Sequence, residues 1–238
     1  LDGGLDVARA LSNNTKLTSL TIPCSSRFVP DAAAMVCSYI ELSESLEAVH
    51  LWGAQCSIVF YEAVAANTRI QVLKLAIDTR NAIPFLDLMR AKRSSLQKLS
   101  LLWIGGDDPA VVESIAGAIV AASALEELQL NFFALPENNQ WWRLIVQFLE
   151  MLVYSRSIRV LHCLGPAAQV TVEVIAAFAN VLRNLASLEE VVMSPHWGGD
   201  GTVLNAVFNR MLTVSFTCMD GPDQSAAVAR CLSQGTTE

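Results

Sequence analysis

Charge is scarce in this chain, and positive charge is scarcer still. Charged residues make up 16% of its 238 positions, against roughly 25% in an average soluble domain. Sixteen Lys and Arg face 23 Asp and Glu, a net charge of −7. A phosphate backbone asks for clustered Lys and Arg, so nucleic acid is set aside as a partner class. Glycine (12) and proline (8) are too few for collagen-like or linker sequence. A hydrophobic share of 53% excludes a disordered chain, which needs the opposite balance. Long apolar runs are missing too. The longest, Trp141 to Tyr154, is interrupted by Arg143, Gln147 and Glu150 and falls short of the ~20 residues that cross a bilayer. The opening Leu1-Asp2-Gly3-Gly4 carries neither a basic segment nor an apolar signal core. The expectation is a cytoplasmic protein with no membrane association.

Paired cysteine spacing is absent as well. Cysteines 24, 37, 56, 163, 218 and 231 are never closer than 13 residues, so there is no CxxC and no zinc-ribbon pattern. Six reduced, mostly buried thiols are expected, with no metal and no cofactor. The sequon Asn13-Asn14-Thr15 is of a kind that arises by chance at this length.

What the chain has is a repeat. One six-residue phrase recurs: apolar, two variable, apolar, one variable, apolar. It runs Leu17-Leu20-Ile22, Leu46-Val49-Leu51, Ile70-Leu73-Leu75, Leu96-Leu99-Leu101, Leu125-Leu128-Leu130, Ile158-Leu161-Cys163 and Leu188-Val191-Met193, with a weaker Met211-Val214-Phe216. First positions lie 23 to 33 residues apart, about 28 on average. Between phrases, apolar residues fall at spacings of three and four, which predicts helices. These cover Asp31–Ser43, Ser57–Asn67, Pro84–Lys92, Pro109–Ala122, Trp141–Tyr154, Thr171–Leu185, Thr202–Asn209 and Gln224–Leu232, with a helix tail over Gly4–Asn14.

Each unit is therefore a short strand, a loop and a helix. One six-residue strand cannot bury its apolar positions alone, so the units must stack in register. The result is an α/β solenoid: a parallel sheet of about eight strands with helices behind it. Strands ~4.8 Å apart and helices ~10 Å across cannot stack straight, so the sheet takes the concave side. Residues 1–238 form one such domain. Neither end shows a polar cap, and the expectation is a piece of a longer chain or ends covered by something else.

The phrases Leu125-Glu-Glu-Leu128-Gln-Leu130 and Ile70-Gln-Val-Leu73-Lys-Leu75 resemble leucine-rich repeats. The long helical period resembles the ribonuclease-inhibitor-like subclass, which includes NOD-like receptor repeat regions and Ran GTPase activators. The resemblance implies a right-handed horseshoe and a protein-binding role. One feature departs from it. The position eight after the first leucine, usually Asn or Cys, is here Ser25, Ala54, Asp78, Ile104, Phe133, Pro166, His196 and Met219. Irregular loops after the strands are expected.

The candidate site is the concave face, formed by the second, third and fifth positions of the phrase. The residues singled out are His50, Lys74, Lys98, Glu126, Glu127, Gln129, Arg159, His162, Glu189 and Glu190: a small basic spot beside an acidic one. Such a face is either solvated or a partner surface. Trp52, Trp103, Phe133 and Trp197 follow strands and either line a rim suited to partner contact or pack beneath the loops. His50 and His162 lie four strands apart, ~19 Å, too far to share a metal, and His196 falls in a loop. The glycine turns after Trp103 and Trp197 lack the lysine of a phosphate loop; their aspartates suit a helix start. No serine elbow accompanies the histidines.

The Trp141–Tyr154 helix has only a narrow polar stripe, which indicates either burial between helices or a second contact surface. The function expected is a non-enzymatic module that binds a protein partner, with no catalytic residues. The family resemblance implies two alternatives. One is a Ran-type GTPase activator, with Arg159 or Lys74 as its cation. The other is the ligand-sensing or substrate-recognition region of an immune receptor or ubiquitin-ligase adaptor.

Overall fold

Each phrase becomes a strand, and the strands pair in chain order. The computed structural model describes residues 3–23, 30–52, 56–77, 81–103, 108–131, 140–164, 171–194, 203, 206, 207, 209, 210 and 212–216. Among these, eight strands form one parallel sheet in the order β1 to β8. They are β1 Ser19–Pro23, β2 Ala48–Trp52, β3 Val72–Ile77, β4 Lys98–Trp103, β5 Glu127–Asn131, β6 Val160–Leu164, β7 Glu190–Met193 and β8 Thr213–Phe216. Seven helices alternate with them: α1 Gly3–Ser12, α2 Pro30–Leu42, α3 Ile58–Ala66, α4 Ala82–Ala91, α5 Pro109–Val120, α6 Gln140–Leu152 and α7 Val172–Asn184. Each helix packs on the next, from α1 against α2 to α6 against α7. Two layers built by neighbour-to-neighbour contact make an α/β solenoid.

The register matches the phrase position by position. Leu20, Val49, Leu73, Leu99, Leu128, Leu161, Val191 and Val214 are mutual partners across all eight strands. From Val49 to Val191 this row is sealed from solvent, whereas the end members Leu20 and Val214 are half-buried. The first and sixth positions follow the same rule, from Leu46 to Leu188 and from Ile22 to Met193. Burying a leucine-sized side chain contributes about 1.5–3 kcal/mol, and three per unit supply the cohesion between neighbours. The ladder also reaches one residue ahead of each strand. The carbonyls of Thr18, Glu47, Gln71, Gln97, Glu126 and Arg159 each accept two consecutive N–H groups of the next unit.

Helix ends are close to the sequence reading, with physical reasons for the differences. Thr171 is the N-cap of α7, its hydroxyl accepting from Val174 N. Asp108 caps α5, with Pro109 in the first turn. Helix α4 starts at Ala82, two residues before the expected Pro84, which still falls in the first turn, where no intrahelical N–H is needed; Asn81 at the cap position makes no side-chain cap, its amide donating to Ala76 O at 3.2 Å. Gln224–Leu232 lies outside the described residues. Of Thr202–Asn209, Val203, Ala206 and Val207 are described and buried.

Part of the apolar circumference of α6 is covered by its neighbours, while Trp142 and Val146 line a cleft of about 560 Å³ with Arg143, Thr171 and Glu173. Leu144, Ile145, Phe148, Leu149 and Leu152 are buried between α5 and α7, and Trp142, Val146, Met151 and Val153 are half-buried. Arg143 and Glu150 of the polar stripe face solvent.

Helix C-termini present carbonyls with no intrahelical partner, and here the adjacent unit caps them. Asn67, buried after α3, donates to the Ile40 and Ser43 carbonyls at the end of α2 (2.6 and 2.8 Å), while its own Oδ1 accepts from Arg69 and Ile70 N. Arg93 donates to Ala121 O after α5 (2.8 Å), and Arg210 donates to Leu182 and Leu185 O at the end of α7 (2.9 and 2.7 Å). Lys92 is 2% exposed, and its Nζ donates to the Asn67 carbonyl that closes α3. Burial lowers this ammonium from 10.5 to about 8.

Two predictions arise here. Leu149, fully buried in α6, costs about 2–5 kcal/mol of unfolding free energy when replaced by Ala, read from denaturant titration. For Lys92 the folded pKa lies below the unfolded one, so the unfolded chain binds more protons between pH 8 and 10.5. Stability therefore carries a penalty below pH 8 that is relieved as pH rises through this window. Lys92→Met abolishes that rise: the difference in unfolding free energy between wild type and variant changes by about 3 kcal/mol from pH 7 to pH 10.5.

Candidate functional site

Alternation along a strand sends the third and fifth positions of each phrase to the face opposite the helices. The structure therefore brings seven of the ten predicted inner-face residues, those at the third and fifth positions, to one surface. Along the third position run Lys98, Glu127, Val160 and Glu190 on β4 to β7; along the fifth run His50, Lys74, Ser100, Gln129, His162 and Val192 on β2 to β7. Glu126, Arg159 and Glu189 precede β5, β6 and β7 by one residue and extend the same surface.

The basic and acidic spots read from the sequence are joined by one ion pair among the described residues. Lys98 Nζ lies 2.6 Å from Glu127 Oε2, and the other oxygen of that carboxylate lies 3.2 Å from His162 Nε2. Lys98 and Glu127 thus join two strands, and His162 Nε2, buried beside that carboxylate, makes no hydrogen bond among the described residues. The Arg159 guanidinium forks onto Glu189, with Nε to Oε1 at 3.0 Å and Nη2 to Oε2 at 2.7 Å. That hydrogen-bonded carboxylate raises the Arg159 pKa above its ordinary value. Arg159, the arginine implied by the Ran-activator likeness, is held by its own sheet.

At the other end of the face, His50 Nδ1 lies 3.3 Å from Thr21 Oγ1 on β1, and its register partner on β3 is Lys74. Burial first, and the Lys74 charge second, lower the His50 pKa below its ordinary value. The two histidines stand four strands apart in the same row, as the phrase spacing required. Among the described residues, no cluster of three His, Cys, Asp or Glu is placed to hold a metal ion.

Asn131, the last residue of β5, escaped the sequence reading. It is buried, donates to Leu101 O and Ser100 Oγ (both 3.3 Å), and accepts from Gln129 Nε2 at 3.1 Å. It stands six residues after Leu125, not eight, and satisfies a backbone carbonyl of the preceding unit. The signal was its place directly after the third apolar residue of the phrase. Two valines were also passed over. Val160 and Val192 are half-buried on the inner face, among the carboxylates.

Of the rim residues, Trp52 and Trp103 end β2 and β4; their side chains, together with Phe133 and Trp197, lie outside the described residues, as do the loops expected to be irregular. The same edge carries exposed aliphatics at the starts of helices: Ile58 and Val59 on α3, Ile83 on α4 and Val172 on α7. Cys163, from the buried sixth row, has its thiol pKa pushed up by burial, which suits packing and not reactivity. Cys37 and Cys56 are half-buried. No helix among the described residues is long and apolar enough to cross a membrane. No protein-family model matches the chain, and no curated protein matches its sequence.

The His50 environment yields a prediction. Lys74→Gln removes the neighbouring cation and leaves the burial, so the His50 titration midpoint moves upward while remaining sensitive to burial. Imidazole proton shifts followed by NMR check the direction; an unchanged or lower midpoint contradicts the assignment.

Proposed function

We propose that this chain is a non-enzymatic interaction module of the leucine-rich-repeat kind, which binds a protein partner across the inner face of its sheet. The observation that carries the reading is the division of labour within each phrase. Positions one, four and six are spent on the core, while positions two, three and five display rows of polar side chains spaced ~4.8 Å apart on a sheet locked by its own register. A surface of that kind is pre-organised: its ion pairs form before the partner arrives, which lowers the ordering cost of association. The aliphatics on the helix-start edge extend the surface with apolar contact at its border.

Site-specific photo-crosslinking tests this. A benzophenone side chain is placed at the exposed inner-face positions Gln71 or Gln97, or at the exposed helix positions Glu62 or Glu113. In extract from the source cells, the inner positions are expected to capture one discrete partner at least about tenfold more efficiently than the helix positions, and the purified partner then binds the wild-type chain in titration. Equal or better capture from the helices refutes the inner-face reading.

A further inference from the structure

The inner face over β5 to β7 has a composition that selects among protein partners, and the following inference rests on the interaction-module reading above. Four carboxylates flank β6 there: Glu126 and Glu127 from the β5 unit, Glu189 and Glu190 from the β7 unit. The two cations beside them are already engaged, Lys98 by Glu127 at 2.6 Å and Arg159 by the Glu189 fork. Among the described residues, Glu190 accepts from the Ser215 hydroxyl at 3.3 Å, and Glu126 is exposed and in no ion pair, though its charge also acts on Arg159, less than the Glu189 fork does. The patch therefore keeps a residual negative charge on its own scaffold.

A second, independent feature sits at its centre. Val160 lies in register between Glu127 and Glu190, and Val192 lies beside His162 on the next row. Both are half-buried on a face whose other strands show mostly polar residues. Carboxylates alone attract any cation, including a hydrated ion. Carboxylates around an aliphatic floor fit a long side chain with an apolar stem and a charged head, which is the shape of lysine and arginine.

We propose that this patch docks a lysine- or arginine-bearing segment of the protein partner. The stem of one basic side chain lies on Val160 and Val192, and its cation is shared by Glu190 and Glu126. Complementarity of charge sets the encounter rate and the register of the partner; the aliphatic floor separates a basic side chain from a free metal ion.

The test uses a fluorescein-labelled nona-lysine peptide, with nona-glutamate as its counterpart, read by anisotropy at 150 mM salt, an ionic strength at which distant charges are largely screened. The full chain is expected to bind nona-lysine and not nona-glutamate. Glu126→Gln with Glu190→Gln is expected to raise Kd about tenfold, and Val160→Ser about threefold with no change of charge. Glu62→Gln with Glu113→Gln removes the same charge from the helical side and is expected to change Kd less than about twofold. Equal weakening by the two glutamine pairs, an unaltered Kd for Val160→Ser, or no nona-lysine binding by wild type overturns the proposal. Crosslinking from Gln71 and Gln97 judges the interaction module separately. A partner captured there whose affinity is indifferent to Glu126 and Glu190 removes the basic segment and leaves the module in place.

Discussion

The structure depends on one constraint: the three apolar positions of every phrase must stack on those of the next. In a parallel sheet with one face buried, a slip of a single residue turns the apolar row outward and the polar row inward. Seven consecutive strand pairings here obey the same register. The paired N–H groups that share each second-position carbonyl hold that register one residue beyond the strands themselves. Once two units are aligned, the third has only one way to add. The half-buried Leu20 and Val214 show the same rule from its ends, since among the described residues each has a strand neighbour on one side only.

Stacking creates a second requirement at the opposite edge. Short helices packed side by side bring a row of unpaired C-terminal carbonyls close to the protein interior, where water is scarce. Asn67, Lys92, Arg93 and Arg210 meet it by reaching into the neighbouring unit. Lys92 is the extreme case: a cation sealed in the layer, tolerable because it ends on a helix C-terminus, where positive charge is favoured. These caps couple the units in the helical layer as the apolar rows do in the sheet.

The inner face inherits its rigidity from both. Its side chains stand at fixed spacing, and several are already committed to one another, notably Glu127 with Lys98 and Glu189 with Arg159. Exposed pairs of this kind add little to stability, yet they decide which charges on the face stay without a counter-charge. That is why a face with cations and carboxylates in view acts, over β5 to β7, as an acidic surface with an aliphatic centre.

Much of this was legible in the amino-acid order. The eight phrases alone determined the strand positions, the sheet order and the membership of each row, because burial with a period of two leaves no other arrangement for units that cannot fold singly. They also placed His50 and His162 too far apart to cooperate. What the order could not carry was pairing between residues about thirty positions apart whose side chains have several reachable neighbours. That Glu127, and not Glu126, takes Lys98, that Asn131 serves the carbonyl of the previous unit, and that Lys92 points inward are decided by distance and desolvation in three dimensions. Composition and spacing set which residues share a face; only the packed structure sets which of them are already spoken for.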